Sequence, residues 1–215
     1  MKNRTVVVNY GIGNVYSVCN ALNKLGSDAL LTSVPSEIRD ADRVILPGVG
    51  AFGRAMDALE TSGLSDPLRD FVATGRPFLG VCIGMQMLMD SSTEFGNYPG
   101  LGLIPGEVRR LDDVNMSGVR RRVPHIGWSG LDVGNASSNW AATPLAELVP
   151  ESDAVYFVHS YHCVPRDKDS RIAIADYEGL EVTAAIQRDN IFGVQFHPER
   201  SGEVGHTVLR SFLNL

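Results

Sequence analysis

The chain has 215 residues, 44% of them apolar and 20% charged, and a formal net charge of −6. These values fit a folded protein with a sizeable core and exclude disordered and fibrous classes. The acidic balance argues against binding along a nucleic-acid backbone, which needs clustered cations, and no apolar stretch reaches the roughly 18 to 20 residues of a membrane helix.

Residues 5–10 (TVVVNY) are rich in β-branched side chains and predict a strand. It ends in Gly-Ile-Gly-Asn, after which Val15, Val18, Leu22 and Leu25 recur at helical spacing up to a stop at Gly26. Residues 28–32 and 42–46 predict the second and third strands, the latter ended by Pro47. Helical patterns cover 51–61 and 65–74, with Gly75 as the stop of the second. Residues 76–81 predict a fourth strand, and 85–89 open the next helix. Strands alternating with helices imply βαβ units and a parallel sheet covered on both faces.

From 100 to 133, and again from 153 to 196, short β-type runs such as AVYFVHSY, RIAIADY, VTAAIQ and IFGVQF follow one another. A helix over 204–213 closes the chain. No repeat or low-complexity linker divides it, so the expected organisation is one α/β domain, 1–215, whose mostly parallel sheet is extended by antiparallel strands. The basic run Arg120, Arg121, Arg122 reads as a solvated turn or strand edge. The three cysteines, Cys19, Cys82 and Cys163, show no CxxC spacing. Their odd number and the lack of a signal-like N-terminus predict a reduced, cytoplasmic protein.

Gly80-Val81-Cys82-Ile83-Gly84 has the G-x-nucleophile-x-G form of a nucleophile elbow, in which a strand turns sharply into a helix. The flanking glycines are needed where a Cβ would strike the neighbouring strand or helix. The dipole of the following helix would favour the reactive thiolate, and the Ile83 N–H would be free to meet an oxyanion. The pentapeptide alone fits a buried structural cysteine equally well. Gly193-Val-Gln-Phe-His-Pro-Glu199 tips the balance, because a cysteine nucleophile needs a base and the base needs an orienting acceptor. His197 and Glu199, two residues apart at a strand end, supply both. Active sites of α/β sheets form at the carboxyl ends of parallel strands, where Cys82 and His197 could meet.

Gly48-Val-Gly-Ala-Phe-Gly53 satisfies the dinucleotide fingerprint G-x-G-x-x-G, but it follows the third strand and lacks an acid at a strand end about 20 residues on. The competing reading is a second oxyanion donor, since glycine lets the Val49-Gly50 peptide flip without a steric penalty. His159-Ser-Tyr-His162 resembles a metal pair, yet on a single strand the two imidazoles would point to opposite faces.

Together GVCIGMQ, PGVGAFG and GVQFHPE resemble class I (triad-type) glutamine amidotransferases. NYGIGNVYSV, GLGLIPGEV, VPHIGW and YFVHSYH look like the glutaminase subunits of imidazole glycerol phosphate synthase within that class. The resemblance implies a three-layer, flavodoxin-like fold and no cofactor or metal. It implies that Cys82 attacks glutamine, His197 moves the proton, Glu199 supports the imidazolium, and Val49, Gly50 and Ile83 form the oxyanion hole. It further implies that Gly50, Gln86, Glu94, Ser160 and Tyr161 hold glutamine. Asn14, Trp128 and Arg200 match positions facing a (β/α)8-barrel cyclase that receives ammonia through a channel and gates the Val49 peptide. Arg200 stands where Lys is usual, and STEFGNYPGLG and SYHCV resemble paralogues that supply ammonia for surface-polysaccharide amino sugars. The acceptor is therefore open between the two pathways.

Overall fold

A computed structural model of the chain describes residues 4–115, 118–132 and 154–215. The first half builds the expected alternation. β1 (Thr5–Val8) is followed by α1 (Val15–Lys24), β2 (Leu30–Thr32), α2 (Pro35–Arg39), β3 (Arg43–Gly48), α3 (Phe52–Thr61), α4 (Ser65–Ala73), β4 (Phe78–Cys82) and α5 (Ile83–Gln86). The second half adds β5 (Ser91–Ser92), β6 (Tyr98–Pro99), β7 (Gly106–Arg110), β8 (His125–Gly130), β9 (Ala154–His159), β10 (Tyr161–Pro165), β11 (Arg171–Tyr177), β12 (Leu180–Arg188), β13 (Ile191–Val194) and α6 (Gly202–Leu213). The ends of the two sequence-predicted β regions, Val133 and Asp153, lie outside the described residues.

The main sheet has the order β11-β12-β13-β4-β3-β1-β2. The five strands from β13 to β2 are parallel, while β12 and β11 extend the sheet as antiparallel neighbours. Taken in chain sequence, the parallel core follows the 2-1-3-4-5 order of flavodoxin-like folds. Every residue of β1, β3, β4 and β13 is buried, so the sheet is covered on both faces, as parallel strands require. Smaller sheets, β10-β7-β5-β6 and β8-β9, carry the rest of the antiparallel structure.

Four details differ from the sequence reading. α2 was not anticipated: five residues are too few to show periodicity, and its signal is Pro35 in the first turn with Ile38 as its buried residue. Pro47 does not end β3, which runs to Gly48 with Pro47 opposite Val81. The pairing of β3 with β1 stops at Ile45, so no bond to that strand needs the missing N–H. The helix expected over 85–89 stops at Gln86. The carbonyls of Met87, Leu88 and Met89 are taken by N–H groups of residues 101–104 and cannot serve a next helical turn.

The fourth is Arg121, which is buried between two exposed arginines. Its guanidinium donates to the carbonyls of Asp112, Tyr177 and Glu178 and ties the chain before β8 to the turn between β11 and β12. A solvated run is the right description of Arg120 and Arg122 alone. Among the described residues no helix is long and apolar enough to cross a membrane. Replacing Arg121 by Leu strands three carbonyls. It is expected to cost about 2 to 4 kcal/mol in urea denaturation, against less than about 0.5 kcal/mol for Arg120→Ala.

Candidate active site

Sheet order brings three strand ends side by side. β4 lies between β3 and β13, with Gly48 opposite Cys82 and Val194 opposite Val81. The residues that follow β13, Gln195 to His197, therefore emerge beside Cys82 on one flank. Val49 and Gly50 emerge on the other.

Cys82 has φ +55° and ψ −110°, a conformation a non-glycine residue adopts only where its surroundings enforce it, at about 1 to 3 kcal/mol. The glycines on each side explain the enforcement. A Cβ on Gly80 would lie 2.6 Å from the Gly84 carbonyl oxygen, and one on Gly84 would lie 1.8 Å from that of Leu46. The expected collision with strand and helix is present at both positions. The expected helix dipole is not, because α5 is a single turn and has too few aligned peptides to act as one.

The electrostatics come from side chains instead. His197 Nδ1 meets Glu199 Oε1 at 2.9 Å, both side chains being almost fully buried. Burial lowers the affinity of His197 for a proton, but the adjoining Cys82 and Glu199 outweigh it and raise the pKa to about 10. His197 thus holds a proton more firmly than a free imidazole does. Its Nε2 makes no hydrogen bond among the described residues. β13 itself ends at Val194, and a bend carries the chain on to His197. This bend is clamped to β9: His197 N–H donates to Tyr156 O, Tyr156 N–H donates to Ser201 Oγ, and Ser201 Oγ–H donates to His197 O.

Cys82 and His197 open into a cleft of about 300 Å³ that is also lined by Val49, Gly50, Ile83, Gln86, Glu94, Ser160 and Tyr161. Every residue expected to hold glutamine or form the oxyanion hole is in this wall. Gly50 has φ +89° with open space around it, so the Val49-Gly50 peptide has room to turn. Just upstream, Tyr10 Oη–H donates to Pro47 O and fixes the base of that loop. Just downstream, Glu94 Oε2 accepts from Phe52 N–H at 2.6 Å. One carboxylate therefore caps α3 and lines the cleft.

The two histidines of the HSYH stretch do not share a strand, since His159 closes β9 and His162 belongs to β10. His159 Nδ1–H donates to Tyr161 O at 2.9 Å. A neutral His159 must then accept at Nε2, which it does from His125 Nδ1 at 3.1 Å, and His125 Nε2 in turn accepts from Ser129 Oγ–H. His125 and Gln195 were not singled out from sequence. The signal for Gln195 was its i, i+2 spacing to His197.

On the outer side, Trp128 is exposed and meets Tyr156 edge-on across the β8-β9 pair at 6.0 Å. Arg200 sits over the opposite part of this cluster, 5.7 Å from the Tyr156 ring. Asn14 precedes α1, which packs against the turn holding Arg200. The three residues matched to a partner face are thus on neighbouring elements, with Tyr156 as the unanticipated link.

A cysteine at a strained strand-to-helix turn, a His-Glu pair just past the next parallel strand and a glycine loop after the third thus come together at one end of the sheet. The family model for class-I glutamine amidotransferases matches residues 6–215, and the chain belongs to that family. Among individual relatives it is 42% identical over 209 residues to imidazole glycerol phosphate synthase subunit HisH 1 of Legionella pneumophila (strain Lens), covering 97% of this chain and 98% of that protein. It is 46% identical to the chloroplastic imidazole glycerol phosphate synthase hisHF of Arabidopsis thaliana, covering 97% of this chain and 33% of that one. In fold it is similar to the PurLQS structure from Thermotoga maritima, with TM-score 0.73 at 24% identity over 100% of this chain and 99% of that one.

Burial lowers the pKa of His125 and His162 to about 4 and that of His159 to about 3, the last with help from neighbouring His125. Their unfolded values lie near 6.5, so the unfolded chain binds protons that the folded chain refuses. The contribution of these three is therefore full above about pH 6.5 and falls toward pH 4. His197, raised, acts oppositely: its contribution is full below about pH 6.5 and is lost progressively as pH rises from there through about 10. Melting temperatures across pH 5 to 8 should decline on the acid side, and His125→Gln should flatten that decline.

Proposed function

We propose that this chain is the glutaminase subunit of an imidazole glycerol phosphate synthase. On this reading a single domain hydrolyses glutamine to glutamate and passes the ammonia to a (β/α)8-barrel cyclase. The observation that carries the reading is Cys82 held at φ +55° in the same cleft as the buried His197-Glu199 pair. Full-length similarity to HisH subunits supports the pathway, and the fused Arabidopsis relative supports a two-part assembly.

Cys82 Sγ attacks the carboxamide carbon of glutamine, and the carbonyl π-electrons move onto oxygen. The Ile83 N–H and the Val49-Gly50 peptide, once turned inward, hold that oxyanion; each such donor is worth about 2.7 to 4 kcal/mol of barrier. The His197 imidazolium gives its Nε2 proton to the departing nitrogen, the C–N bond breaks, and ammonia leaves a glutamyl thioester. Now neutral, His197 takes a proton from water, whose oxygen attacks the thioester and releases glutamate and the Cys82 thiolate. Glu199 keeps the imidazole in place through both steps, and Glu94 offers the charge that a substrate ammonium needs.

Trp128, Arg200 and Asn14 form the docking face, joined by Tyr156 and by exposed Ile126, which shares a face of β8 with Trp128. Glutamate release should be slow for the chain alone and strongly raised by the organism's barrel cyclase with its ribonucleotide ligand. Cys82→Ala should abolish the activity, and Glu199→Gln should lower kcat about 10²- to 10⁴-fold. A chain that hydrolyses glutamine but neither binds nor responds to the cyclase would instead supply a sugar-amidating partner.

A further inference from the structure

Gln195 has no exposed surface at all and lies next to the nucleophile. Its Oε1 is 3.0 Å from Gln86 Nε2, and its own Nε2 is 3.7 Å from Cys82 Sγ. An amide buried this deeply is tolerated only when bonded, and here both ends are.

The orientation of both amides follows from one backbone group. Tyr161 O can only accept, and it lies 2.9 Å from the Gln86 amide, so Gln86 must present its NH2 there. The second hydrogen of that NH2 points to Gln195, which must therefore present its oxygen. Gln195 is left with its own NH2 toward the sulfur. A flip of either amide would set oxygen against oxygen or nitrogen against nitrogen. The other lone pair of Tyr161 O is occupied by His159 Nδ1–H, so the carbonyl is saturated and the register is fixed.

Two consequences meet in the cleft. A thiolate accepts an N–H far better than a thiol does, so the Gln195 amide favours the attacking form and holds its sulfur. With both hydrogens of Gln86 committed, its Oε1 is left buried with no partner among the described residues. That oxygen lacks a donor, and Gln86 lines the cleft where an N–H of the substrate would arrive.

We propose that Gln195 is a positioning residue: its locked amide holds the Cys82 sulfur with one end and, with the other, fixes which way round the Gln86 amide stands in the cleft wall. The one-turn α5 cannot replace it, since it offers no sustained dipole. The assignment of substrate rests on the glutaminase reading, whereas the contact with the sulfur does not.

The test uses the full chain carrying Gln195→Met, which removes both hydrogen bonds, and Gln195→Glu, which keeps the acceptor for Gln86 but sets a carboxylate against the sulfur. Each variant is first compared with the parent by circular dichroism and melting. Iodoacetamide alkylation is then followed on the Cys82 peptide by mass spectrometry from pH 5 to 9, without glutamine or partner. Both variants should react at least about fivefold more slowly at pH 7, with a rate profile displaced toward alkali. In the complex with the cyclase, Gln195→Met should also raise KM for glutamine about tenfold, while Gln195→Glu should lower kcat with a smaller change in KM. Should Met not fold, the near-isosteric Glu variant alone decides the sulfur contact. An unchanged alkylation profile in a folded variant would overturn the proposal and leave Gln195 as core filling. Displaced alkylation in a chain that never hydrolyses glutamine would uphold the sulfur contact and remove the glutaminase reading instead.

Discussion

Where a Cβ of residue 84 would stand, the carbonyl oxygen of Leu46 is only 1.8 Å away. The obstacle is main chain on both sides, so no rotamer change relieves it, and only glycine can occupy the turn. That contact lets α5 lie directly against β3, and Cys82, two residues before Gly84, makes the turn at φ +55°. A cysteine held there cannot relax into the sheet. The stored backbone strain is tolerated because β4 is central, flanked by β3 and β13 and buried along its whole length. The strained bend at Cys82 thus goes with how tightly two pieces of backbone are packed.

Charge in the cleft is governed by short-range bonds among buried side chains. Three histidines are kept neutral by burial, and a fourth, His197, is pushed toward its charged form by Cys82 and Glu199 within the same cluster. The difference is one of partners. His159 meets a carbonyl and another imidazole, neither of which rewards a positive charge enough to offset lost hydration. His197 meets a carboxylate and a sulfur. Two imidazoles on the wall of one cleft are therefore pushed in opposite directions, His159 toward its neutral form and His197 toward its protonated one.

The parallel half of the fold was legible because β-branched runs and helical periodicity alternate cleanly from Thr5 to Cys82. The elbow and the His-Glu pair could be read because their spacing is local. Three things could not be read locally. Pro47 argued for a strand end, but whether its missing N–H matters depends on where β1 stops pairing. The length of α5 was decided by carbonyls that bond to residues 101–104. Arg121 resembled its exposed neighbours until the β11-β12 turn supplied carbonyls around it. In each case the deciding group is distant in sequence, as are Tyr161 and Cys82 for Gln195.

The peptide between Val155 and Tyr156, together with the Tyr156 carbonyl, fastens the turn that bears His197 through Ser201. The ring of the same residue lies between Trp128 and Arg200 on the outside of the protein. The backbone of His197 follows on from β13 and is anchored to β9. One residue of β9 thus touches both the turn that bears His197 and the exposed Trp128.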